Sequence, residues 1–185
     1  MKLDRTSQTT FTDVIPLSTA KAHLRVDSSD EDTLITSLIN TAGEIVEGYT
    51  GLYLESCTFT YYADQFSSVM PIHAGPGISI TGVQYIDDLG VTKTWASSHY
   101  FVDEKSYPMR VQFDELPNEV DDRVHAVRIS GTAGYTTVPS ALKSAMLLII
   151  GHLNEHRKDV LVGIQSAPLV HGAKYLMDKF KPSTF

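Results

Sequence analysis

The chain has a single cysteine, Cys57, among 185 residues, which excludes an internal disulfide, and no Cys/His cluster has zinc-site spacing. Cys57 opens a β-patterned run with no base beside it, so it is a packing thiol before it is a nucleophile. Long apolar runs are missing as well. The longest, residues 145–150, falls far short of a bilayer span, and the opening MKLDRTSQTTFTD carries no hydrophobic signal core. Neither a membrane nor a secretory route is expected. Basic residues are in the minority, 15 Lys and Arg against 22 Asp and Glu, for a net charge of −7. Generic affinity for nucleic acid needs clustered cations and is therefore excluded. Phosphate loops of the G-x-x-x-x-G-K-[ST] form, G-x-S-x-G elbows and G-x-G-x-x-G fingerprints are all absent, and Gly75-Pro76-Gly77 reads as a turn.

The best-patterned stretch is residues 17–51. Leu34, Ile35, Leu38, Ile39, Ala42, Ile45, Val46 and Tyr49 recur at helical spacing and form one stripe, with Gly51 placed to end the helix in a left-handed conformation. Residues 18–24 read as a shorter helix capped by Ser18. The acidic turn from Asp27 to Asp32 between them is expected to cap the long helix and to complement its dipole. Residues 1–16 are polar, Thr-rich and without period, which predicts an extended or mobile arm.

From Cys57 the period falls to two. Strands are expected at 57–62, 69–72, 78–86, 91–95, 99–102, 109–113 and 124–130, with a hairpin loop at 87–90 and a possible bulge at Gly82-Val83. Residues 131–135 read as a loop. Pro139 then suits the first turn of a helix whose inward face is Leu142, Ala145, Met146, Ile149 and Leu153, and whose middle is apolar almost all round. A final helix from Pro168 turns Ala173, Leu176, Met177 and Phe180 inward. The fold class is α+β: a small helical bundle, made of the N-terminal helix pair (18–51) and C-terminal helices (139–180), with an inserted antiparallel β meander or sandwich at about 57–130. Residues 17–185 are expected to form a single domain behind the arm.

One chemical motif stands out. His152-Leu153-Asn154-Glu155-His156 is H-x-x-E-H, the inverted zinc-protease signature, with Glu155 as base and the two histidines as ligands. No glutamate follows Glu155 to complete the site; Asp159, His171 and Asp178 are the only substitutes. So short a pattern is more often a false positive, and no enzyme, metal or cofactor is expected. Charge is the better guide. Residues 103–122 are acidic, while the end of the chain has Lys174, Lys179 and Lys181 against Asp178, an asymmetry suited to head-to-tail contacts between copies as well as to two solvated faces.

The order of these features resembles the head-tail connector, or adaptor, proteins of tailed phages and prophages over residues 17 to about 163. The pieces that carry the resemblance are A-K-A-H-L-R-V-D at 20–27, D-E-D-T-L-I at 30–35 and V-E-G-Y-T-G at 46–51. The resemblance implies a structural virion protein at the head-tail interface, found in the host cytoplasm during assembly. Copies would form a twelve-fold ring under the portal, extend the DNA channel and dock the next stopper, head-completion or tail protein. DNA would pass through without specific binding, past a surface whose acidity repels phosphate. Tyr175, Lys179, Phe180, Lys181 and Phe185 are the implied portal contact, and Asp114, Glu115, Glu119, Asp121 and Asp122 the implied subunit or downstream contact. Another tail-completion or interaction protein on a similar plan is the alternative, and a zinc hydrolase using His152, Glu155 and His156 the remote one.

Overall fold

The structure, a computed structural model, describes residues 2–5, 10–73, 75–76, 79–104, 106, 108–157 and 171–181. Packing divides the chain into two compact units, residues 1–9 with 55–136 and residues 10–54 with 137–185. The expected α+β class is what forms: helices gather in one unit and antiparallel strands in the other.

In the β unit, β1 (Lys2–Arg5), β2 (Cys57–Ala63), β4 (Ser79–Ile86), β5 (Thr92–Trp95) and β8 (Val127–Ala133) make a sheet of order β1-β2-β8-β4-β5. A second sheet, β3-β7-β6, is built from β3 (Val69–Ile72), β6 (Tyr100–Asp103) and β7 (Met109–Phe113). Alternation decides the faces, as a two-residue period requires. Cys57, Phe59, Tyr61 and Ala63 on β2 and Val127, Ile129 and Ala133 on β8 point inward, as do Met70, Ile72, Met109, Val111 and Phe113 in the smaller sheet. The Phe66 ring meets Tyr85 and Phe113 edge-on, at centroid distances of 6.0 and 5.1 Å, and so joins the two sheets.

Three expectations about this unit are corrected. The opening residues are not a loose arm: β1 pairs antiparallel with β2, Leu3 opposite Tyr61, because the edge of β2 offers it a ladder. Residues 131–133 continue β8 instead of looping, for Gly131 lies opposite Phe59 and its missing side chain leaves room for that ring and for the Ser79 carbonyl. The strand starts later than its pattern suggested, at Val127, after His125 takes a left-handed φ of 61°. The register shift of β4 falls between Ile80 and Gly82.

In the helical unit, α1 (Leu17–Leu24), α2 (Asp32–Thr50), α3 (Ser140–Glu155) and α4 (His171–Asp178) surround a core of Ile35, Ile39, Ala42, Val46, Leu142, Ala145, Met146, Ile149 and Ile150. Phe11, Val14 and Ile15 are buried here too, in a turn closed by the Ile15 N–H on the Phe11 carbonyl at 3.0 Å. Gly43 of α2 makes this possible, because the Phe11 ring occupies the space a Cβ would take. The caps differ from expectation. Helix α1 begins at Leu17 behind Pro16, and neither α1 nor α2 has a side-chain cap at its N-terminus. The acidic turn makes ion pairs instead: Asp32 with Lys21 at 2.6 Å, and Glu31 with both terminal nitrogens of Arg157 at 2.8 and 3.0 Å. Gly51 ends α2 left-handed, at φ 70°, as its position suggested. The apolar stripe of α2 is wider than its cover, leaving Leu34 38% exposed. The start of the last helix at Pro168 and the small apolar run of 160–167 lie outside the described residues.

Candidate assembly surfaces

The H-x-x-E-H motif falls at the end of α3, and the helix stops inside it. His156 sits one residue past the last helical turn, φ −114°, with its N–H on the His152 carbonyl. The two imidazoles tilt against each other at a centroid distance of 4.6 Å, while Glu155 is exposed. Of the proposed third ligands, Asp178 is taken up by Tyr49 and Lys174, His171 is exposed at the start of α4, and Asp159 lies outside the described residues. Among the described residues no group of three or more His, Cys, Asp or Glu side chains is placed to hold a metal ion.

Helix α4 presents the basic end of the chain. Ala173 and Met177 are buried and fasten it, whereas Tyr175 is 66% exposed. Lys179 lies over the Tyr175 ring at 5.3 Å and Lys181 over the Tyr49 ring at 5.0 Å, so two cations are held on aromatic faces. The Tyr49 hydroxyl donates to Asp178 and holds that carboxyl below its usual range, and Asp178 in turn raises the Lys174 ammonium. Phe180 is half-buried; Phe185 lies outside the described residues. Gly172 leaves Leu148 of α3 uncovered beside it, 38% exposed, a neighbour that the pattern of α4 alone does not reveal.

The acidic stretch is structured by local pairs. Glu115 meets the His99 Nδ1 at 3.0 Å, Glu119 lies 3.6 Å from Lys93, Asp121 holds Arg123 at 3.1 Å, and Asp122 accepts from Gln65 at 3.4 Å. Asp114 is exposed. Sequence reasoning missed the most ordered acid nearby, Asp87. It is buried at the base of the β4–β5 hairpin, where one carboxylate oxygen accepts the N–H groups of Leu89 and Val91 at 3.1 and 2.7 Å and the other meets Lys93 at 2.9 Å. Lys93, followed by the Val91 N–H, keeps its carboxyl below the usual range. The available signal was an Asp opening a loop that ends in glycine.

Residues 14–81 match the model of the phage gp6-like head-tail connector protein family. The match covers α1, α2, β2, β3 and the start of β4. No curated protein matches the chain. Among solved structures, a chain in the neck of an empty gene transfer agent particle, computed with C6 symmetry, superposes with a TM-score of 0.81 at 22% identity, over 100% of this chain and 97% of that one. A chain in the virion of the native particle gives 0.78 at 21%, and one in the native neck, computed with C12 symmetry, 0.76 at 20%, with the same coverage. At such identities the likeness is one of fold.

Proposed function

We propose that this chain is a head-tail connector: a structural virion protein whose copies form a ring under the portal, extend the DNA channel and dock the next neck or tail protein. The observation that carries the reading is the connector-family match over residues 14–81 on a chain whose whole fold is that of gene-transfer-agent neck and virion chains. The symmetric necks of those particles support a ring of like copies, which we set at twelve. The protein then works by geometry and not by catalysis, in the particle at the head-tail junction, after assembly in the host cytoplasm. Its net charge of −7 suits a passage through which DNA slides, since repulsion of phosphates removes a binding well along the path.

The finer assignments follow the charge. Tyr175, Lys179, Phe180, Lys181 and Phe185 are proposed toward the portal, and Asp114, Glu115, Glu119, Asp121 and Asp122 toward a neighbouring copy or the downstream protein. Mixing the purified chain with its cognate portal and imaging the product tests the role. A ring of new density beneath the portal is the expected result, even where the chain alone is a monomer. Portals that gain no density would overturn the connector reading.

A further inference from the structure

The β4–β5 hairpin is built as a rigid knob. Its loop is the three-residue kind with a left-handed residue at the end, supplied by Gly90 at φ 81°. Asp87 donates its N–H to the Val91 carbonyl and accepts the Gly90 N–H on its own carbonyl, both at 2.9 Å, while its side chain takes the Leu89 and Val91 N–H groups and Lys93. Asp87 thus engages the N–H groups of Leu89, Gly90 and Val91 at the base of the tip. What this framework holds out is apolar: Leu89 is 83% exposed and Val91 55%. Asp88, next to Leu89 in the loop, is an exposed acid, and the Arg123 guanidinium lies 3.7 Å from where a Gly90 side chain would begin. A large aliphatic side chain held in water on a preorganised loop has little stabilising use within its own unit. Preorganisation of this sort is what lowers the cost of binding.

A receiving surface of opposite character exists on the same chain. Gly172 leaves Leu148 open between α3 and α4, Tyr175 stands one helical turn further on, and Lys179 lies across its ring, with Lys174 on the same short helix. This is an apolar patch whose rim carries Lys179 and the Lys174–Asp178 pair. Both patches are exposed in the single chain.

We infer that the β4–β5 hairpin tip, with Leu89 as anchor and Asp88 as charged flank, docks on the Leu148–Gly172–Tyr175–Lys179 surface of a second copy. Such a contact joins two different patches, so it is heterologous and repeats from copy to copy, as a closed ring requires. The inference rests on the connector reading and divides the basic end of the chain: Tyr175 and Lys179 face a neighbour, leaving Phe180, Lys181 and Phe185 for the portal.

The test uses the full chain assembled on its cognate portal, with the ring imaged separately. In a Leu89→Cys, Tyr175→Cys variant, oxidation is expected to produce a ladder of linked copies on a non-reducing gel, and neither single cysteine variant to produce one. Leu89→Ser is expected to fold with an unchanged melting temperature and to lower ring occupancy about tenfold, the effect of losing one anchor residue. Asp88→Lys and Lys179→Glu each weaken the ring, and the double swap restores it. A ring that forms without the ladder, a Leu89→Cys dimer, or cross-links to the portal or another neck protein in place of a second copy would overturn the inference and leave the connector reading standing. Absence of any ring sinks the connector reading itself.

Discussion

At the scale of single residues, the informative positions are those where a side chain is missing or a charge is buried. Gly43 is under the Phe11 ring, so Gly43→Ala must push that ring out of its turn; a loss of about 1–3 kcal/mol is expected, read from the shift of a urea midpoint. Asp87 contributes to the pH dependence, beside Glu31 and Asp178, whose carboxyls are also lowered by their partners Arg157 and Tyr49. The Asp87 carboxyl titrates lower in the folded hairpin than in the unfolded chain, so its contribution is full above the ordinary carboxylate range, near pH 4, and is lost as pH falls through the depressed folded value. Asp87→Asn should therefore melt below the parent at pH 7, with the gap closing in acid. A gap that stays constant down to pH 2 would assign the effect to shape and not to charge. Neither position announced itself in the sequence, because a glycine inside a helix pattern and an Asp in a loop each have commoner explanations.

The elements were legible to differing degrees, and the reason is the range of the forces involved. Helix α2 and the strands β2, β3 and β7 could be read from periodicity, since burial of alternate or every third to fourth residue is written locally. Their ends could not. The acidic turn looks like a cap by composition, yet Glu31 is drawn to Arg157, a residue 126 positions away, and Asp32 to Lys21. Both pairs are partly solvated, so Arg157→Ala is expected to lower the melting temperature only slightly, and the difference to vanish in 1 M salt. Apolar positions at the centre behave otherwise. Ile39 of α2 is fully buried, and Ile39→Ala should cost about 2–5 kcal/mol in chemical denaturation. Ile149→Asp on α3 should leave no folded protein, as judged by circular dichroism, because its charge has no partner to meet.

For the whole molecule, the question is which parts hold the fold and which are free to bind. Met177 is fully buried, so the last helix cannot be cut at Tyr175 without opening the helical unit. Removal of residues 179–185 is the cleaner experiment: the protein should keep its helical signal and melting temperature and fail to add density to the portal. Loss of folding would assign those residues to the core. The motif that pointed toward zinc chemistry belongs to this scale also. H-x-x-E-H needs a continuous helix and a third ligand, and here the helix ends before His156.

By itself the sequence determined the fold class: a helix pair, a β insertion and a return to helices. These follow from local periodicity and from side-chain inventories, which need no knowledge of what is distant in the chain. The tertiary structure alone decided that the first residues form a strand on β2, that Phe11 fills the space above Gly43, that Glu31 binds Arg157, and that Leu148 lies open beside Gly172. Each is a meeting of residues far apart in sequence, fixed by packing and by pairing of backbone and charge, and no local pattern contains it.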